Sequence, residues 1–152
     1  VAVRMELGRI LIRELADYQI IELREVLPAS PTPLSDDEAF ERLQSARKFP
    51  IVIGLPEAQA IERRLKGIPI KRPQTHDLLA NVIRELGATL VSISVTDLDD
   101  HTFYATLDLT TENGLELHID ARPSDAIALG IAESVPIYVA ETVLEGATRE
   151  DQ

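Results

Sequence analysis

The chain has no cysteine and no tryptophan, a single methionine and only 4% aromatic residues. Without cysteine there can be no disulfide, no thiolate metal site and no cysteine nucleophile, a usage that fits a reducing cytosol. No apolar run approaches the roughly 20 residues a membrane span needs, and the N-terminus lacks a signal-peptide pattern, so a cytoplasmic protein without membrane contact is expected. A basic excess is missing too. Lys and Arg number 15 against 26 Asp and Glu, a net charge of −11. Phosphate backbones are bound largely by Lys and Arg, so this balance is awkward for a protein that handles nucleic acid. One stretch runs the other way: between positions 60 and 75, Arg63, Arg64, Lys66, Lys71 and Arg72 stand against Glu62 alone. Its ordinary reading is a solvated helix face and loop.

What is present suits a single α+β domain. The 152 residues are 45% apolar and 27% charged, ordinary proportions for one globular core. Residues 6–13 and 18–26 are rich in Ile, Leu and Val around the Ala16-Asp17 break, which predicts a hairpin. Pro28, Pro31 and Pro33 forbid a regular ladder, and Ser35 is placed to cap a short acidic helix. The segment 28–47 therefore reads as an insertion. Residues 49–54 form a buried-type strand, and Gly54 and Pro56 open a helix over 56–66. A second helix over 76–86 carries a stripe of Leu78, Leu79, Val82, Ile83 and Leu86, with Thr75 as its expected N-cap and Gly87 as its stop. Strands at 89–97, 102–110 and 115–120 follow, the last two joined through Asn113-Gly114. A third helix spans 124–134, and its Gly130 predicts a close approach by a neighbour. Residues 137–140 give a last strand, and 141–152 read as an acidic C-terminal tail. Tight hairpins and one-faced helices predict a mostly antiparallel sheet covered by helices, with the domain spanning 1–140.

Two polar strings interrupt this pattern: Arg72-Pro73-Gln74-Thr75-His76-Asp77 and Asp120-Ala121-Arg122-Pro123-Ser124-Asp125. Each sets Arg-Pro, then a hydroxyl residue and an Asp, at the mouth of a helix, where free N–H groups suit phosphate or carboxylate. The arginines would add bidentate phosphate contacts. Asp77, Asp120 and Asp125 have the oxygen chemistry for a hard divalent cation, and His76 suits a ligand or a general base. Caps and Arg–Asp braces explain the same residues without any ligand. The similarity of the strings predicts that the two loops lie side by side, about 45 positions apart in sequence.

The runs 49–58 (Phe-Pro-Ile-Val-Ile-Gly-Leu-Pro-Glu-Ala), 72–78, 102–105 (Thr-Phe-Tyr-Ala), 119–129 (Ile-Asp-Ala-Arg-Pro-Ser-Asp-Ala-Ile-Ala-Leu) and 136–139 (Pro-Ile-Tyr-Val) resemble, in order and spacing, the hallmark blocks of the bifunctional nuclease (DNase/RNase) domain family. The resemblance covers residues 49–140 best. It departs from the family pattern at 28–47 and at Ala132, where a basic residue often stands. It implies an α+β homodimer that hydrolyses DNA and RNA with a divalent metal, Mg or Mn. His76, Glu57 and Asp125 are then the expected catalytic residues. Arg72, Thr75, Tyr104, Arg122 and Ser124 would bind substrate, and Asp77, Asp120 and Asp125 would hold the metal. The competing expectation is a non-enzymatic regulatory module whose helix mouths hold an anion or a partner protein.

Overall fold

The computed structural model describes residues 1–13 and 15–150. Its elements run β1 (Ala2–Leu11), β2 (Gln19–Glu25), α1 (Asp36–Ser45), β3 (Lys48–Ile53), α2 (Leu55–Lys66), α3 (Thr75–Glu85), β4 (Thr89–Asp99), β5 (Thr102–Thr110), β6 (Glu116–Ala121), α4 (Pro123–Glu133), β7 (Ile137–Ala140) and α5 (Glu141–Glu150). The seven strands form one sheet in the order β3-β2-β1-β7-β4-β5-β6. Every neighbouring pair is antiparallel except β4 with β7. The α+β, mostly antiparallel expectation therefore holds, with β7 inserted between the two hairpin halves.

Alternation along the strands decides the layers. Met5, Ile21, Leu23, Phe49, Ile51, Val95, Ala105, Leu107 and Val139 point to one face and are buried there with side chains of α2, α4 and α5. On the other face Arg24 pairs with Glu6 at 2.9 Å and Arg9 with Glu22 at 3.6 Å. An antiparallel sheet tolerates this one-sided wetting. The sheet curls strongly around its core. Phe49 of β3 stacks on Phe103 of β5 with ring centroids 5.5 Å apart, although four strands separate them in sheet order. β3 is an edge strand, and Pro50 lies within it opposite Glu22.

The helix boundaries follow local chemistry. α1 begins with a reciprocal capping box between Ser35 and Glu38, which satisfies two donors at once. α2 ends at Gly67 in the left-handed conformation, φ 63°. At Gly130 a Cβ would stand 2.2 Å from Ile93 Cδ1 and 3.0 Å from Val135 Cγ2. The glycine lets α4 lie directly on β4, the close approach expected from sequence.

Three expectations change. α3 is capped by Gln74, and Thr75 is its first helical residue. The apolar stripe of α3 does not all face the core: Ala80 is buried and Ile83 half-buried, but Leu78, Leu79, Val82 and Leu86 are exposed. Finally, the expected acidic tail is helix α5 through Glu150, with Val143, Leu144 and Ala147 inside the core. Residues 151 and 152 of that tail lie outside the described residues. Glu145 faces solvent, and the acidic composition hid a core-facing i, i+1, i+4 pattern. Leu144→Ala should therefore destabilise the protein by about 2–5 kcal/mol, measured by urea unfolding followed by circular dichroism. A solvated tail would leave the midpoint where it was.

Candidate functional site

The starts of α2 and α4 meet through Glu57 and Arg122, and the start of α3, seated by the last turn of α2, reaches the first turn of α4 through His76. α4 has Arg122 as its N-cap and Pro123 in its first turn, and no side chain caps its free amides. α2 begins after Gly54, again without a side-chain cap. α3 contributes His76 from its first turn. His76 Nε2 lies 3.0 Å from Asp125 Oδ1. Arg122 donates to Asp125 through Nε at 2.8 Å and Nη2 at 3.2 Å, and Nη2 lies 3.2 Å from Glu57 Oε1. Thus the loops at 72–77 and 120–125 do lie side by side, joined by the His76–Asp125 contact.

Within this cluster Asp125 and Arg122 stabilise each other's charged forms. Burial pushes the Asp125 carboxyl up, but the bonds from Arg122 and His76 outweigh it and hold the group below the ordinary carboxylate range. Asp125 raises Arg122 in turn, chiefly through the same hydrogen bonds. An ionised carboxylate only accepts, so Nε2 of His76 carries the proton in that bond. The free lone pair of a neutral ring is then on Nδ1. Glu57, with a side chain 20% exposed, is folded back over its own helix start: a Cβ on Gly54 would meet Glu57 Oε2 at 2.3 Å. Only a residue without a side chain leaves that carboxylate where it reaches Arg122.

The other expected site residues divide. Ser124 is buried beside Arg122, while Thr75, at the start of α3, and Arg72, in the loop before it, are exposed. Tyr104 sits between the core-facing Phe103 and Ala105 and so projects from the helix-free face of β5, away from His76. Asp120 lies on β6 opposite Thr106, on that same helix-free face. Asp77 turns to α2 and accepts from Arg63 at 2.9 Å, from Arg64 and from the Gln74 amide at 3.0 Å. Asp77, Asp120 and Asp125 therefore do not converge, and among the described residues no three His, Asp or Glu side chains are placed to hold a metal ion. The three-aspartate set does not fit a divalent cation.

Two groups of residues were not singled out from sequence as partners. Arg63 and Arg64 were read as a solvated basic run, yet their side chains are 14% and 6% exposed. Arg64 also donates to Ala128 O at 2.5 Å and Leu129 O at 3.2 Å. Facing inward at the C-terminal end of α2, beside the mouth of α3, they could have been suspected from the Asp three residues into the next helix. The second group surrounds Asp108 on the helix-free face. Its carboxylate accepts from Ser92 at 2.7 Å, Ser94 at 2.6 Å and Thr106 at 2.9 Å, and lies 2.8 Å from His118 Nδ1. Burial pushes this carboxyl up, but the hydroxyls and His118 together hold it low. The network crosses β4, β5 and β6 and pins their register. Its only sequence signal was the alternation of hydroxyl residues along the wet faces of those strands.

A family model described as the bifunctional nuclease domain matches residues 40–152. Two uncharacterized proteins of Mycobacterium tuberculosis, from strains CDC 1551 / Oshkosh and ATCC 25618 / H37Rv, are each 43% identical over 101 residues. That alignment covers 66% of this chain and 59% of each relative, so the chain spans less than two thirds of the length of the curated relatives it matches. Among the described residues no helix is long and apolar enough to cross a membrane.

The brace at Asp77 gives a stability prediction. Asp77→Ala leaves two nearly buried guanidinium groups without their counter-charge and should cost about 3–5 kcal/mol. In the folded chain burial raises the Asp77 carboxyl, but the Gln74 amide and the two arginines lower it further, so its net shift is downward. A carboxyl lowered by folding contributes stability that is complete above its unfolded value, near about pH 4, and is lost as pH falls through the folded value. Acid unfolding of Asp77→Ala should accordingly show a shallower loss of stability below about pH 4 than the wild type. Identical acid limbs would remove Asp77 from the account.

Proposed function

Because this chain belongs to the bifunctional nuclease domain family, we propose that it hydrolyses phosphodiester bonds in DNA and RNA at the cluster of Glu57, His76, Arg122 and Asp125. The observation that carries this reading is the His76–Asp125–Arg122 constellation at converging helix starts. Asp125 orients the imidazole as the third member of a triad orients its base. Nδ1 of His76 takes the proton of an attacking water. Water oxygen bonds to phosphorus as the P–O ester bond breaks, and the leaving oxygen is protonated from solvent. Arg122 and the uncapped amides of α4 take up the charge on the non-bridging oxygens. Glu57 shares Nη2 of Arg122 with Asp125 and steadies the guanidinium, and Arg72 extends from the exposed loop as a further phosphate contact.

The assay is hydrolysis of single- and double-stranded DNA and of RNA by highly purified protein, with Mn²⁺, Mg²⁺ or EDTA. His76→Ala should lower the rate by at least about 100-fold, the ordinary scale of a general base, while unfolding stability stays near wild type. Activity unchanged in His76→Ala and in Asp125→Ala would sink the reading. Wild-type protein inert under every condition would favour the regulatory module instead. Metal dependence is read from the EDTA arm.

The homodimer is proposed to form through α3. Leu78, Leu79, Val82 and Leu86 are 57%, 38%, 43% and 80% exposed, and Leu65 and Ile68 flank them at the end of α2. Together they leave roughly 550 Å² of apolar surface per copy, more than an isolated domain ordinarily shows in one patch, and two copies reach the ~1,000 Å² a specific interface needs. A two-fold pairing of α3 with its copy buries the same patch on both sides. Light scattering at micromolar concentration should give twice the chain mass of 16.8 kDa. Leu86→Glu should return it to the single-chain value. A wild-type monomer would refute the pairing.

A further inference from the structure

A cleft of about 600 Å³ opens beside Arg122, between the start of α4, the end of β3 and the two hairpin turns that precede β2 and β5. Its two ends differ in chemistry. At one end lie Arg122, Pro123, Ser124 and Gly54, the uncapped starts of α4 and α2. Ser124 is 5% exposed and its hydroxyl has no hydrogen-bond partner among the described residues. Here it opens on the cleft beside free helix amides. That combination of donors fits one phosphate group.

At the other end Tyr18 and Val52 stand 56% and 62% exposed, and with Pro50 of edge strand β3 they form an aromatic and aliphatic wall. Asp17, next to Tyr18, supplies an acceptor along the same wall. The Asp100-His101 turn, with φ 49° and 64°, brings His101 to the rim. Two successive left-handed residues without glycine cost energy, and such turns persist where the surroundings hold them.

We infer that this cleft is a subsite for one nucleotide, its phosphate on Ser124, Arg122 and the α4 amides and its base against Tyr18 and Val52. The cleft's size suits a drug-sized ligand held by an apolar wall and a few convergent polar groups, and an aromatic face accepts any base by stacking. The inference rests on the phosphodiesterase reading: the nucleotide is the unit next to the bond cut at His76, so the cleft sets which residue of the strand is gripped.

The test is calorimetric titration of the wild-type chain with adenosine 5′-monophosphate, adenosine, inorganic phosphate and phenyl phosphate. None contains a diester, so none is consumed by the proposed hydrolysis. The monophosphate should bind at least tenfold tighter than adenosine or phosphate alone. Tyr18→Ala, at an exposed position, should weaken the monophosphate about tenfold and leave phosphate unchanged. Ser124→Ala should weaken both, with its fold checked by circular dichroism. No binding of the monophosphate, or binding indifferent to Tyr18→Ala, overturns the subsite. Phenyl phosphate binding as tightly as the nucleotide overturns it in favour of an aryl phosphate site. Nucleotide binding by a protein that cleaves no strand would leave the subsite and remove the nuclease reading. Strand cleavage with KM untouched by Tyr18→Ala would do the reverse.

Discussion

The guanidinium of Arg64 is the tie on which the helical layer depends. It leaves α2 with a 6% exposed side chain and reaches Asp77 at the mouth of α3 and two carbonyls in the middle of α4. A charge this dry is tolerated only when its donors are met, and here the partners come from two other helices, α3 and α4. Once α3 is drawn to that point, His76, the residue before Asp77, has one place to go, and it meets Asp125. The site geometry is thus set from behind by a buried cation that never touches it. Arg63 shares Asp77 but leaves its own buried Nε without a partner, so the brace is not free of cost.

Two aspartates at equivalent places in two similar strings illustrate what sequence can and cannot tell. Asp77 and Asp125 each stand in a helix's first turn after Arg-Pro and a hydroxyl residue. One is absorbed into a structural brace and the other faces the cluster with His76. Nothing local separates them. The difference lies in which helix end arrives from elsewhere in the chain: the last turn of α2 against one, the first turns of α2 and α3 against the other. The convergence of the strings was legible because both carry the polar chemistry that apolar elements exclude. Their division of labour was not, because it is a tertiary property.

The fold shows the same boundary. Strand alternation at 102–110 and the Asn113-Gly114 turn specify β5 and its hairpin without ambiguity, and Gly130 announced the approach of Ile93. The stripe on α3 was equally plain as a pattern, yet amphipathicity states only that a face wants cover, not what provides it. In α5 the reverse held. Glu141 and Glu145 drew attention from Val143, Leu144 and Ala147, because composition was weighed where period should have been. The hydroxyls around Asp108 escaped because serine and threonine on a wet strand face are ordinary until a buried carboxylate gathers them.

Pro50 has a bearing on how copies of this chain can meet. As a residue of edge strand β3 it has no N–H to offer outward, so the ladder of donors that would template another strand is broken in its middle. At the far edge, β6 carries Glu116 and Asp120, and a second acidic chain laid alongside would bring like charges together. Sheet extension, the route by which exposed edges lead to fibrils, is thereby discouraged at both margins. A crowded solution of this protein has its apolar helix surface, rather than its backbone, as the place to associate.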